Sequence, residues 1–357
     1  MKNIVYFLGA GFSKNFGYPL TGEIMPEIIA LLKKGDLFEL GKTKTQKEAL
    51  LEKQLLHFIY LLYAGLKYVN PERAIAIPSV TEVLSFVDHS CFYNIPPHPE
   101  LDADNLKQFQ MLLNRAIGEL LLRYDYMNYT PTERQLLDEF IEPLKQIKKS
   151  NNVSFITTNY DLIIDNEFID QGITNEINYG IPYRDVDSSE IVLQKDNPRF
   201  NYFKLHGSLN WTRCEFCGHY YINPLGSILF QAFKQKIDRD NTCTCNSSIR
   251  LKSVLIAPSL VRDIRDANLL QIWRSALEAI RTADKLIFIG YSLPGEDFAI
   301  KSIIMRGING RDVNKPPAID VVQLGDSAYS NFFNLLGKNI KYYNQGLAAY
   351  LKTNKLP

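Results

Sequence analysis

Three short runs in this chain hold residue types able to move a proton, orient a hydroxyl and cradle an anion. Phe203-Lys204-Leu205-His206-Gly207-Ser208 carries a lone histidine, whose pKa near neutrality suits general acid–base work. Thr157-Thr158-Asn159-Tyr160-Asp161 carries a side-chain amide that donates and accepts, and a carboxylate that only accepts. Gly9-Ala10-Gly11-Phe12-Ser13 is a glycine turn whose backbone can approach a phosphate, with the N–H groups of a helix start behind it. Taken singly, each has an ordinary explanation: a buried packing histidine, turn-forming Asn and Asp, a tight strand-to-helix turn. Position 14 is Lys, so the dinucleotide fingerprint of three spaced glycines is incomplete. The ordered set of three points to one site.

A second constellation is made of sulfur. Cys214-Glu215-Phe216-Cys217 and Cys243-Thr244-Cys245 supply four thiols within a short stretch. Four thiolates suit tetrahedral structural zinc, a closed site with no position for catalysis. The second pair is C-x-C, so one ligand is open to replacement by His219. A redox pair is the alternative, without the thioredoxin-like context it needs.

These residues must be positioned by strands. Apolar runs at Ile4–Leu8, Val153–Thr157, Lys285–Ile289, Val254–Ala257 and Ile319–Leu324 read as buried strands of a parallel sheet covered on both faces. Each is followed by turn residues, and open α/β sheets bind ligands outside the carboxyl ends of their strands. Helical spacing recurs over Glu23–Lys33, Gln46–Tyr68, Val80–His89, Asn105–Tyr124 and Thr132–Lys148, with a capped start expected at Thr132 behind Pro131. A crossover needs about a dozen residues, so this stretch is an insertion with its own task.

With 357 residues, 46% hydrophobic and 22% charged, the chain suits a soluble globular protein of more than one domain. A formal net charge of +1 leaves no basic footprint for nucleic acid, and the lysines at 33, 34, 42, 44 and 47 read as a solvated face. The first apolar run is too short for a signal core, and no run is long enough to span a membrane. Cysteines grouped for metal suggest a reducing, cytoplasmic setting.

In their order along the chain, Gly9-Ala10-Gly11-Phe12-Ser13, the TTNYD run at 157–161, Leu205-His206-Gly207-Ser208, the four cysteines and Gly290-Tyr291-Ser292-Leu293 resemble the Sir2 (sirtuin) superfamily. They are most similar to its bacterial SIR2-like branch, which is associated with antiphage defence by NAD⁺ depletion. The resemblance implies an α/β fold: a Rossmann-like parallel sheet with a large helical insertion and a small zinc-binding module. The boundaries expected are 1–22, 150–210 and 251–345 for a discontinuous NAD-binding domain, 23–149 for the insertion and 211–250 for the zinc module. It further implies that Gly9, Ala10, Gly11 and Ser13 line a pyrophosphate. Asn159 and Asp161 would form the nicotinamide–ribose pocket, and His206 would be the general base. Gly290 and Ser292 would contact the adenosine side, with Asp326 accepting from ribose hydroxyls.

Two departures bear on the reaction. Protein-deacylating sirtuins carry G-I-P-x-F-R after the glycine turn; here the run is Gly17-Tyr18-Pro19-Leu20-Thr21-Gly22. In the stretch equivalent to their peptide-pairing strand, Pro258 removes a backbone donor. The expected activity is therefore an NAD⁺ glycohydrolase with water as acceptor, releasing nicotinamide and ADP-ribose. An NAD-dependent protein deacylase and a non-catalytic NAD or ADP-ribose sensor are the alternatives. An unchecked enzyme of this kind would poison its host. Regulation by homo-oligomerisation, or by a partner such as an ATPase or a phage component, is expected, with the helical insertion as the interface.

Overall fold

The computed structural model describes residues 2–38, 44–68, 77–125, 129–145, 152–170, 172, 177–194, 198–223, 242–255, 266–295, 297–312 and 315–353. The chain runs β1 (Asn3–Leu8), α1 (Ala10–Lys14), α2 (Thr21–Lys34), α3 (Gln46–Leu62), a 3-10 turn (Ala64–Tyr68), α4 (Val80–Tyr93), α5 (Ala103–Asp125), α6 (Pro131–Lys145), β2 (Asn152–Thr157) and α7 (Ile163–Asp170). Short strands follow: β3 (Ile177–Asn178), β4 (Tyr183–Asp185), β5 (Ile191–Val192), β6 (Phe200–Lys204), β7 (Gly207–Arg213), β8 (Tyr220–Ile222), β9 (Thr242–Cys243), β10 (Asn246–Arg250) and β11 (Lys252–Leu255). The last part is α8 (Ala267–Thr282), β12 (Lys285–Ile289), α9 (Phe298–Asn309), β13 (Ala318–Val322), α10 (Tyr329–Leu336), β14 (Ile340–Tyr343) and α11 (Gly346–Thr353).

Chain contacts divide these elements into two units. The first takes Met1–Tyr18, Asn128–Val254 and Ile264–Pro357. Its centre is a seven-stranded sheet in the order β14-β13-β12-β1-β2-β6-β3 with every pairing parallel. β1 is apolar on both faces because the sheet is covered on both, and five of its six residues are buried. The sequence leaves β1 in both directions, towards β2 and β6 on one side and β12 to β14 on the other. β1 is therefore the topological switch point, where the turns at the carboxyl ends diverge and leave a crevice.

Helix α8 packs beside the sheet with Leu269, Ile272, Trp273, Ala276 and Ile280 buried, a stripe at helical spacing. Asp266 caps it, accepting from the Leu269 N–H at 2.9 Å. In α6, Phe140 lies against Tyr6 and Phe12, with ring centroids 5.8 and 5.2 Å apart. The cap of α6 sits two residues before the expected Thr132: Thr130 and Glu133 bond reciprocally, and Pro131 takes the first helical position.

The expected strand at Val254–Ala257 needs correction. β11 starts at Lys252 and belongs to a separate five-stranded sheet, β11-β7-β8-β4-β5, instead of the parallel sheet. Alternation of buried Val254 with half-exposed Ser253 and Leu255 fits a sheet with one wet face. Residues 256–260, including Pro258, lie outside the described set, as do 146–148 at the expected end of the fifth helix. The parallel sheet also holds β6, β3 and β14, none of which forms a clean apolar run.

The second unit is built on Pro19–Met127. Its helices α2 to α5 pack on one another around Ile28, Ile29, Leu55, Phe58, Val83, Leu84, Phe109 and Leu113, all buried. Thr45 and Glu48 form a capping box at α3, and Ser79 caps α4. Gly35 ends α2 in the left-handed conformation at φ 77°.

Candidate active site and cysteine cluster

The turns that follow β6, β2, β1, β12 and β13 carry His206, Asn159, the 9–13 glycine turn, Gly290 and Asp326 respectively. These five strands are adjacent in the sheet, so the residues form a row about 19 Å long at the usual strand spacing. Ala10, Gly11, Asn159 and Gly290 are half-exposed along its crest, whereas Ser13, Asp161 and His206 are buried beneath.

The middle of the row rests on backbone-to-backbone packing. Gly11 N–H donates to Gly290 O at 2.8 Å and Gly9 N–H to Ile289 O at 3.0 Å. A Cβ on Gly9 would lie 2.5 Å from Tyr291 Cα, and one on Gly11 would lie 2.8 Å from Gly290 Cα. Gly290 is left-handed at φ 61°, so the turn needs glycine for both space and conformation.

Ser13 links this turn to the run after β2. Its hydroxyl donates to Asp161 Oδ2 at 2.6 Å and accepts from Asn159 Nδ2 at 2.8 Å. Asn159 Nδ2 also donates to Gly9 O at 2.9 Å. Both amide protons are thus directed into the protein, which makes Oδ1 the acceptor that Asn159 offers to a ligand. Asp161 Oδ1 accepts the Ile163 N–H at 3.2 Å. Burial raises the Asp161 carboxyl above its ordinary range, against the opposing pull of Lys204 and the Ser13 hydroxyl.

The run after β2 is also stitched to the run after β6. Leu205 N–H donates to Thr157 O, Leu209 N–H to Tyr160 O, and His206 Nδ1 lies 3.0 Å from Thr158 O. A carbonyl only accepts, so Nδ1 carries a proton in this contact, and Nε2 is the nitrogen through which the ring can exchange one. Leu205 O in turn accepts from Trp273 Nε1 of α8 at 3.0 Å. Gly207, at φ 80°, passes so close to Val254 O that no Cβ fits.

At the far end of the row, Ser292 and Asp326 are exposed. Asp326 Oδ1 accepts from Asn344 Nδ2 at 3.0 Å, and the two line a shallow hollow with Tyr329, Ser330 and Tyr342. The structure therefore brings Ser13, Asn159 and Asp161 into one hydrogen-bonded group, sets His206 beside them, and leaves Ser292 and Asp326 towards the β13–β14 edge.

Lys204, Asp165, Tyr179 and Asn210, which stand in none of the roles expected above, lie directly behind this group. Lys204 Nζ donates to Asp165 Oδ2 at 2.8 Å and to Asp161 O at 2.7 Å, and Tyr179 OH donates to Asp165 Oδ1 at 3.0 Å. The available signal was a lysine ending a strand whose other residues are mostly aromatic.

The cysteine cluster lies in the same unit, on β9 and the turns that follow β7 and β9. The Sγ atoms of Cys214, Cys217, Cys243 and Cys245 all fall within 4.8 Å of one another. Cys214 and Cys245 are 3.7 Å apart, and Cys217 and Cys243 are 3.5 Å apart. Four sulfurs bound at about 2.3 Å in a tetrahedron stand about 3.8 Å apart, so the set fits zinc. Burial opposes ionisation of Cys243, yet donation from Tyr221 OH and the Cys245 N–H outweighs it and brings the thiol down to about 6. His219 Nδ1 lies 3.3 Å from Cys217 Sγ, beside the four-sulfur set. No described helix is long and apolar enough to cross a membrane.

Residues 153–330 match the family model of the SIR2-like domain. No curated protein matches. Among solved structures, one described under the structural basis for sirtuin substrate affinity is 12% identical, covering 98% of this chain and 90% of its own, with a TM-score of 0.38. A Sir2 in complex with the inhibitor EX-527, 2'-O-acetyl-ADP-ribose and deacetylated p53 peptide is 14% identical over 98% and 91%, with a TM-score of 0.35. A third, described under the mechanism and regulation of Sir2 enzymes, is 15% identical over 98% and 89%, with a TM-score of 0.39.

Proposed function

Taking this chain as a member of the Sir2 superfamily with NAD-dependent function, as its SIR2-like domain supports, we propose that it is an NAD⁺ glycohydrolase. The observation that carries the reading is the pairing of Asn159 with His206 at the ends of adjacent strands. Asn159 offers Oδ1 with its amide protons fixed inward, and His206 is held at the neighbouring strand end by Nδ1 on Thr158 O.

In this reading the 9–13 turn and Gly290 face the pyrophosphate at the switch point. Ser292 and Asp326 serve the adenosine side, where the Asp326 carboxylate accepts from ribose hydroxyls. Asn159 Oδ1 accepts from a ribose hydroxyl or from the attacking water, while Asp161 lines the nicotinamide side and holds Ser13. The water oxygen bonds to the ribose carbon, and the bond to nicotinamide breaks with its electron pair leaving on the ring nitrogen. His206 Nε2 takes the water proton. The products are nicotinamide, ADP-ribose and one proton. Cys214, Cys217, Cys243 and Cys245 would hold a structural zinc that ties β9 to the loops after β7 and β9, a closed site with no position for the chemistry.

In this reading, consumption of NAD⁺ with water as the acceptor and no acyl-lysine peptide suits a role in antiphage defence by cofactor depletion in the cytoplasm. It also requires restraint, through self-assembly or a protein partner at the helical unit. Light scattering after size exclusion tests the assembly, and a fully active monomer would remove that part. To test the reaction itself, the protein is incubated with NAD⁺ alone and with an added acetyl-lysine peptide. Equal nicotinamide release in both arms is expected, and release only with peptide would make the protein a deacylase. Stoichiometric NAD⁺ binding with no release in either arm would make it a sensor.

A further inference from the structure

Lys204 is wholly buried at the last position of β6, inside a strand otherwise made for a core. A buried ammonium needs partners on all its protons, and here they are unusual. One is the Asp165 carboxylate at 2.8 Å; another is the backbone carbonyl of Asp161 at 2.7 Å. The ring of Tyr202 lies 5.1 Å from the ammonium. Asp165 is itself held by Tyr179 OH and by Asn210 Nδ2 at 3.3 Å, so the cation is fixed by elements on several sides.

The carbonyl contact is the informative one. The end of β2 and the run after it give their carbonyls to the end of β6 and the run after it: Thr157 O to Leu205, Thr158 O to His206, Tyr160 O to Leu209 and Asp161 O to Lys204. The Lys204 bond carries a full ammonium charge, and charge-assisted bonds are roughly twice as strong as neutral ones. It closes the loop that carries Asn159 and, through Asp161 and Ser13, sets the Asn159 amide.

We propose that Lys204 is a positioning residue, whose buried ammonium fixes the Asn159–Asp161 loop against the His206 loop. Its effect on turnover rests on the glycohydrolase reading; its effect on the loop does not.

The test compares the full-length protein with K204M and the charge-neutral pair K204M/D165N, by thermal midpoint, by hydrogen exchange and by nicotinamide release. K204M alone leaves Asp165 buried without its cation and is expected to lose stability or fail to fold. The pair removes both charges and is expected to keep a midpoint near the native one. In the pair, amides in 158–163 and 205–209 should exchange at least tenfold faster. Its kcat should fall at least thirtyfold, with KM changed less than threefold. Native exchange in those peptides would overturn the proposal, because Lys204 would then only neutralise Asp165. If the unaltered protein releases no nicotinamide, the hydrolase reading falls, and exchange alone decides on Lys204.

Discussion

Replacing Gly290 by Ala should break the join between the turns that follow β1 and β12. The cost has separable parts. Gly290 sits at φ 61°, where a Cβ costs about 1–2 kcal/mol. The added carbon would lie 2.7 Å from Gly11 Cα and closer still to Phe12 N, whereas carbon atoms pack at about 3.5–4.0 Å. The turns must separate by roughly 1 Å, which sacrifices the 2.8 Å bond from Gly11 N–H to Gly290 O, worth about 0.5–1.5 kcal/mol. The total is about 1.5–3.5 kcal/mol. Gly172→Ala is the control: its φ is 64°, but among the described residues nothing lies within 4 Å of the added carbon, so only the conformational part remains. The two variants then differ by the lost bond, about 0.5–1.5 kcal/mol, so at about 2–4 °C per kcal/mol Gly290→Ala should melt about 1–6 °C below Gly172→Ala in a thermal scan. A 1 Å displacement of site residues also costs on the order of a hundredfold in rate, so nicotinamide release should fall in the first variant alone. Equal melting points for the two variants would refute the reasoning, since the close approach would then carry no energy.

Asn159→Ala should lower kcat about a hundredfold or more, and Asn159→Asp should do no better, because a carboxylate oxygen would face Gly9 O; steady-state kinetics decides, and an active Asn159→Asp would reverse the assigned amide orientation. Asp161→Asn removes a carboxyl whose native pKa burial has raised. That group's contribution to stability is full below its unfolded value near 3.9 and is lost as pH rises through the native value. The melting point of the native protein relative to Asp161→Asn should therefore fall as pH rises above about 4 and level off once the native value is passed, and a difference growing in the native protein's favour would contradict the raised value. Metal analysis should find one zinc per chain, lost in Cys214→Ser together with several degrees of melting temperature; a zinc-free protein of native stability would remove the structural role.

The strands that position the site were legible where both faces are covered. Ile4–Leu8 and Lys285–Ile289 are continuous apolar runs, and both are strands of the parallel sheet. β6 was harder to read because Asn201 and Lys204 interrupt it, and their partners, Ser154 and Asp165, are remote in sequence. β14 lies at the sheet edge with mixed exposure and carries no core pattern. Val254 read as a core strand because one buried valine beside leucine and isoleucine looks the same in either sheet. The site residues were visible as types, His206, Asn159 and Asp161 among them. Their connections were not: that Asn159 Nδ2 turns towards Ser13, or that Lys204 reaches the Asp161 carbonyl, depends on pairings across 146 and 43 positions that no local pattern encodes.

The most direct measurement is nicotinamide and ADP-ribose released from NAD⁺ by the purified protein, resolved by liquid chromatography beside a His206→Ala control. Equal amounts of both products are expected from the native protein and none above background from the control, which still binds ADP-ribose. Undiminished release by His206→Ala would contradict this, because the proton would then have another acceptor and the paired loops after β2 and β6 would not be the catalytic centre.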